Sequence, residues 1–433
     1  MKKIIIILMS ILTFPGVRGE MTLDDCLRYA RDHAHSNRIQ ALETEKASVD
    51  RRIAASALMP YVGFSADGNV SFGRNIDPET NTYDNKKTLS TGFGLQMSLP
   101  LFDGLVSVNT LKAAGVARLR QEKTAQIEQD RVSLEVVRAF YNVSYCKAMV
   151  AQMESQLERD SALLVATERG ECLGVKSGSD VAEMQALVAS DEYELVNQRN
   201  LLSKAFLNLR SHMGMPLTDA PLDLAESEGE TVASSVSVDV SLNPRVAEAQ
   251  LALRESRMNL RCAKGAFSPK ISLQAGVSTS FYRMMGSHIE SPDFGRQWRD
   301  NMGQYVGVSF SFPIFTGLSA CNRLRRSRIE LEQSKVRLDQ TIYEVEKETM
   351  EADLDLAASE EEYLAALRRV ESEELAYRAV SRKYELGAVS VTDLYTSGVK
   401  LATARASLEG KRIQRIINVI VSAYYHGEKL IKE

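Results

Sequence analysis

Two hydrophobic periods divide this chain, and they alternate in a fixed order. Four segments have a period of two. In the first, Val62, Phe64, Ala66, Val70 and Phe72 face one way and Ser65, Asp67, Asn69 and Ser71 the other; in the second, Thr91, Phe93, Leu95, Met97, Leu99 and Leu101 oppose Gly92, Gly94, Gln96 and Ser98. The third sets Ile271, Leu273, Ala275, Val277 and Phe281 against Ser272, Gln274, Ser278 and Ser280; the fourth sets Val306, Val308, Phe310 and Phe312 against Gly307, Ser309 and Ser311. Such alternation fits a tilted membrane strand, which needs about 9–11 residues. It also fits a soluble sandwich with one buried face. The polar face is built of small Ser and Gly with few charges, which suits a narrow lumen.

Between the strand segments the period becomes helical. Leu105 to about Arg169 holds no Pro and a lone Gly115, and Leu318 to Leu386 holds neither residue type. Each stretch predicts a helix roughly 100 Å long at about 1.5 Å per residue. Heptad stripes run along both: Ile127, Leu134, Tyr141 and Ala148 in one, Val336, Tyr343, Met350, Ala357 and Leu364 in the other. A second stripe beside each, rich in Ala, predicts close neighbours on two sides. The return helices (Asp180 to His212, Thr392 to His426) and the lead-in helices (about Thr22 to Leu58, Asn243 to Ala266) are shorter. Stacked end to end, a return and a lead-in helix match the long ones and predict a wall of uniform height.

The pattern is written twice. Pro100-Leu101-Phe102-Asp103-Gly104 returns as Pro313-Ile314-Phe315-Thr316-Gly317, and Leu173-Gly174-Val175-Lys176-Ser177-Gly178-Ser179-Asp180 returns as Leu386-Gly387-Ala388-Val389-Ser390-Val391-Thr392-Asp393, both at an offset of 213. The prolines before the strands, Pro60 and Pro269, are 209 apart, so the length change lies in the hairpin region. The first repeat is therefore 20–242, with a hairpin at about 61–101, a long helix at 105–169, a return helix at 180–212 and an equatorial linker at 214–242. The second is 243–433, with a hairpin at about 270–315, a long helix at 318–386 and a return helix at 392–426. Four strands cannot close a barrel in lipid without leaving backbone groups unpaired. Two copies would supply eight strands and three would supply twelve.

Composition narrows the setting. Met1-Lys2-Lys3, the apolar run Ile4 to Phe14 and small residues up to Gly19 read as a secretory signal peptide over 1–19, too short to span a bilayer. No Cys follows closely enough for lipid attachment. The net charge of −4 becomes about −7 once Lys2, Lys3 and Arg18 leave, which argues against nucleic acid as a partner. The five Cys are odd in number and scattered, so they read as small buried hydrophobes rather than a disulfide framework. Trp298, among charged neighbours in the second hairpin tip, reads as a loop-packing residue. The five His show no metal-binding helix pattern, and no phosphate loop or convergent acid, base and nucleophile set is present. Neither cofactor nor metal nor catalysis is expected.

The chemistry that stands out lies where the long helices end. Gly174 and Gly387 are followed by Ser177-x-x-Asp180 and Ser390-x-x-Asp393, both capping boxes. Capping alone is one complete account of these two Asp residues.

Together these features resemble the TolC family of outer-membrane efflux proteins, over essentially the whole mature chain. The resemblance rests on the repeated strand-exit motif, Arg138-Ala139-Phe140-Tyr141-Asn142-Val143, Asn243-Pro244, the helix end Leu209 to Pro216 and the Leu-Gly tips. It implies a membrane α+β fold of two structural repeats, each a transmembrane β-hairpin plus long periplasmic helices. Three chains would form a homotrimer with a 12-stranded β-barrel in the outer membrane of a Gram-negative bacterium, continued by an α-helical barrel in the periplasm. The implied function is the channel subunit of a tripartite efflux or type I secretion system, with a periplasmic adaptor and an inner-membrane pump or ABC transporter as partners. The resemblance also places Asp393, Asp180 and Tyr384 at the entrance constriction, with Tyr384 locking the closed tip against Asp180. Gly174, Val175 and Ser177, with Gly387, Ala388 and Ser390, would dock the adaptor. Two positions depart from the family pattern: Thr396 stands where a second acid is common, and Val389 where a basic lock partner is expected. The rival reading is a trimeric surface adhesin with a coiled-coil stalk. Such adhesins place one anchor at the extreme C-terminus, whereas both hairpins here are internal and the chain ends in a helix.

Overall fold

A computed structural model describes residues 20–76, 82–85, 87–218, 222–225, 243–285, 292–428 and 430. Residues 1–19, read from sequence as a signal peptide, most of 214–242 and the centres of both hairpin tips lie outside the described residues. The first repeat contains α1 (Leu23–His33), α2 (His35–Ser56), β1 (Tyr61–Ser71), β2 (Arg74–Ile76), β3 (Tyr83–Asn85), β4 (Lys87–Phe102), α3 (Val106–Cys172) and α4 (Gly178–Met213). The second contains α5 (Pro244–Gly265), β5 (Lys270–Met285), α6 (Phe294–Asp300), β6 (Gly303–Ser311), α7 (Ser319–Glu385) and α8 (Val391–Tyr425). The two long helices, α3 and α7, are 67 residues each. The chain divides into two compact units: Met1–Ala41, Ala125–Asn243 and Tyr343–Glu433 form one, Leu42–Thr124 and Pro244–Ile342 the other.

In the second unit the four long strands form one antiparallel sheet in the order β1-β4-β5-β6. Its register gathers the apolar positions of all four strands on one face. Val62 lies opposite Met97, Met97 opposite Ala275, and Ala275 opposite Val306; the next row runs Phe64, Leu95, Val277. A slip of one residue would scatter that face, because side chains alternate with a period of two. The other face is mostly Ser and Gly. The Tyr61 ring lies over Gly63 and the Tyr305 ring over Gly276, where an added Cβ would come within 3.0 and 2.6 Å of the ring atoms. Among the described residues the outer edges of β1 and β6 have no strand partner within the chain.

The segment between β5 and β6 differs from a plain polar loop. Its helix α6 lies on β5 beyond Ser278, where pairing with β6 stops. The buried Gln297 amide takes the place of a neighbouring strand: it accepts from Tyr282 N at 2.9 Å and donates to Tyr282 O at 2.9 Å and Pro292 O at 2.8 Å. Phe294 and Trp298 pack on Phe93 and Phe281, with ring centroids 5.0 Å apart for Phe93 and Trp298. Trp298 is a packing residue.

Where each hairpin passes into its long helix, two consecutive residues adopt left-handed backbone: Gly104 and Leu105 at φ +73° and +62°, Gly317 and Leu318 at +60° and +64°. At the first junction the α5 backbone comes so close that a Cβ on Gly104 would collide with Gly265 O and stand 2.6 Å from Ser268 Cβ. Arg120 continues this α3–α5 seam with ion pairs to Glu248 at 3.5 Å and Glu255 at 3.0 Å.

The other unit is built on the middle of α3. Val136, Phe140 and Val143 are fully buried there against Cys26 and Leu27 of α1, Leu209 and Met213 of α4, and Ile413 of α8. The lead-in helix read as continuous from Thr22 to Leu58 is instead two helices. Ala34 takes an extended ψ of 131°, its N–H still closes on Ala30 O, and the Asn37 amide donates to the carbonyls of Ala30 and Arg31 at 3.2 and 3.3 Å. The cause is tertiary: α4 ends against this break at Gly214 (φ +72°), where a Cβ would stand 2.5 Å from His33 O. Cysteine burial is also mixed. Cys26 and Cys146 are buried, and burial pushes the Cys26 thiol up to about 12. Cys172 and Cys321 are instead exposed, because they lie at long-helix ends where the chain has no further layer to cover them. Among the described residues no helix is long and apolar enough to cross a membrane.

Candidate functional site

The two helix tips are built alike. At the end of α3, Gly174 enters the left-handed region at φ +72°, Gly174 N donates to Glu171 O at 2.8 Å, and Val175 N reaches back to Gly170 O at 2.8 Å. At the end of α7, Gly387 takes φ +71°, Gly387 N donates to Tyr384 O at 3.0 Å, and Ala388 N to Lys383 O at 2.8 Å. Both are Schellman closures, which satisfy the last helical carbonyls and require a residue tolerant of positive φ. A Cβ at either glycine would meet nothing within 4 Å, so conformation rather than space selects glycine there.

The next helices start with reciprocal caps. Ser177 N donates to Asp180 Oδ2 at 3.0 Å and Asp180 N to Ser177 Oγ at 3.2 Å. Ser390 N and Oγ donate to Asp393 Oδ2 at 3.2 and 2.8 Å, and Asp393 N returns a bond to Ser390 Oγ at 3.2 Å. The backbone N–H of Ser177 holds the Asp180 carboxyl below its ordinary value. Asp393 keeps its other carboxylate oxygen for the surroundings and is exposed. The turns themselves present apolar side chains outward, Leu173 at 80%, Val175 at 76% and Leu386 at 79% exposure. Bare apolar side chains on both turns are suited to a contact.

Tyr384 lies beneath these turns and is 3% exposed, within a cluster of Met184, Val391 and Leu394. Its hydroxyl meets Thr167 Oγ1 at 3.2 Å, and Lys176 Nζ lies 3.9 Å from its ring centroid. Its partner within the chain is thus Thr167 on α3, while Asp180 is engaged by its own cap. A second contact links the two starting helices: Thr392 Oγ1 donates to Glu183 Oε2 at 3.4 Å. The predicted residues therefore fall into two sets: turn and cap groups at the surface, and Tyr384 in the core below. Thr167, Lys176 and Glu183 escape sequence reading. Only Lys176 carries a signal there, lying inside the repeated turn motif.

Known proteins point the same way. The sequence profile of the family described as outer membrane efflux protein matches residues 27–215 and 240–420. The outer membrane efflux protein BepC of Brucella suis is 22% identical over 412 residues, covering 94% of this chain and 85% of its own. The toluene efflux pump outer membrane protein TtgC of Pseudomonas putida is 23% identical over 392 residues, covering 88% and 78%. A crystal structure of CusC superposes with a TM-score of 0.81 at 19% identity, covering 94% of this chain and 92% of that one. Profile matches on both sides of the linker, a shared two-repeat fold and a sheet with one apolar face agree, and the chain belongs to the outer membrane efflux protein family.

Proposed function

We propose that this chain is one subunit of a homotrimeric, passive duct across the outer membrane and periplasm, the exit channel of a tripartite efflux or type I secretion system. The observation that carries the proposal is the sheet. Four strands offer lipid a single apolar face, and among the described residues the outer edges of β1 and β6 lack strand partners within the chain. An open edge cannot persist in hydrocarbon, so β6 of one copy pairs with β1 of the next, and three copies close twelve strands.

The helices support the same closure. Within the chain α5 lies along α3, joined by Arg120 to Glu248 and Glu255, and its Val246, Ala249 and Leu253 are buried. In the repeat, α2 corresponds to α5 and α7 to α3, yet α2 exposes Ile39, Leu42 and Ile53, and α7 exposes Val336, Tyr343 and Met350. These two bare stripes fit each other across copies as α5 fits α3 within one. Energy for transport comes from an inner-membrane pump or ABC transporter, reached through a periplasmic adaptor that docks on Leu173, Val175, Leu386 and the turns around Gly174 and Gly387. Asp393, repeated three times by symmetry, forms the carboxylate ring of the entrance, with Asp180 and Tyr384 beside it. The chain itself catalyses no reaction. Purified protein should run as a trimer and conduct ions in a planar bilayer; a non-conducting monomer would overturn the proposal.

A further inference from the structure

A pair of carboxyl groups lies between α3 and α4, clear of the tips and without a part in the duct as described. Asp191 on α4 is 5% exposed. Its Oδ1 accepts from Gln156 Nε2 at 2.9 Å, and its Oδ2 is buried with no donor. Asp160, one turn beyond Gln156 on α3, is half-buried beside Asp191. Partial burial of Asp160 beside the Asp191 carboxyl favours its protonated form, since a second negative charge there would be repelled.

The surrounding charges do not resolve the conflict. Arg159 on α3 donates to Ser155 at 2.7 Å. On α7, Glu374 takes Arg378 at 3.4 Å and Arg405 of α8 at 2.6 Å, which commits both cations. Tyr377, also on α7, borders the same cavity of about 240 Å³ and can offer Asp160 no counter-charge. What is missing between the two acids is a hydrogen, and a proton supplies it.

We propose that Asp160 and Asp191 bind a single proton between them, and that this proton latches α3 to α4, so that its loss loosens the helix pair above the tip. Burial, and then the Asp191 carboxyl, push Asp160 up to about 7, with Arg159 and Gln156 pulling the other way. A separated pair would release its proton near the ordinary value of about 3.9. The latched form therefore binds the proton more tightly. Its proton-linked stability is complete below about pH 4, falls as pH rises, and is gone above about pH 7.

Hydrogen exchange of the α3 and α4 amides around these residues tests the latch. After correction for the intrinsic pH dependence of exchange, the opening constant of the full-length protein should rise about tenfold per pH unit from pH 5 to 7 and then level off, as one proton requires. Asp191→Asn and Asp160→Asn each replace the proton with an amide donor, so both should be flat over the same range. In the infrared, the wild type should show a protonated carboxylic acid that titrates near neutrality and is missing from both variants. Variants with the wild-type slope, or a wild type without that titrating acid, would overturn the proposal. If one variant fails to assemble, the other and the infrared measurement still decide. Neither readout needs the chain to conduct, so the latch can fail without the duct and the duct without the latch.

Discussion

Gly104 and Gly317 occupy the same place in the two repeats and share left-handed backbone, but only Gly104 is crowded within one chain. Alanine at either site carries the cost of a left-handed non-glycine residue, about 1–2 kcal/mol. At Gly104 the new methyl also meets the Gly265 carbonyl and Ser268 Cβ, at 2.6 Å for the latter, both fixed by the backbone. Overpacking of that kind adds about 1–3 kcal/mol, so Gly104→Ala should destabilise by roughly 2–5 kcal/mol. At Gly317 a Cβ meets nothing within 4 Å among the described residues, and the lone-chain expectation is the backbone term alone. If α2 of the next copy lies on α7 as α5 lies on α3, its C-terminal end fills that space, and Gly317→Ala should cost as much as Gly104→Ala. The difference is that its loss should appear in subunit association. The assay is the temperature at which the trimer dissociates on a semi-native gel, alongside protease resistance of the dissociated chain. Gly317→Ala should sharply lower the temperature at which the trimer dissociates while leaving the monomer less affected than Gly104→Ala does. A Gly317 variant whose trimer resists heat like the wild type would refute the reasoning from the repeat.

Other expectations concern the tips and the helical core. Asp393→Asn should shift the cation preference of the reconstituted channel while weakening the α8 start by about 1 kcal/mol; unchanged selectivity would leave Asp393 as a cap alone. The stabilisation from Asp180 is present above its unfolded pKa near 3.9 and is lost as pH falls through its lower folded value. Exchange at the start of α4 should therefore speed up in acid, and Asp180→Asn should remove that acid dependence. Tyr384→Phe deletes the bond to Thr167 and should cost about 1 kcal/mol of tip stability, seen as faster proteolysis there with the trimer intact. Phe140→Ala, in the fully buried α3 core, should cost about 3–5 kcal/mol and depress the yield of folded trimer.

Much of the fold is written in local pattern. Strand periodicity, the lack of Pro and Gly across α3 and α7, and the paired Leu-Gly turns are properties of neighbouring residues. The two caps are legible for the same reason, since Ser177 with Asp180 and Ser390 with Asp393 are three positions apart. Features that depend on distant partners are not. Tyr384 meets Thr167 across 217 residues, and Gln297 looks like any loop glutamine until it replaces a strand beside Tyr282. Asp160 and Asp191 each read as one more charge on a solvated helix face.

By itself, the sequence determined the repeated order of hairpin, long helix and return helix, two long helices within about two residues of the 67 observed, and the apolar side of the four long strands. These follow from backbone sterics and side-chain periodicity acting over a few residues. The tertiary structure alone decided the break at Ala34, the fold-back of α6, the crowding at Gly104 and the pairing of two acids in one helix seam. Each of these is set by the approach of segments far apart in the chain, and hydrophobic pattern does not encode the distance between them.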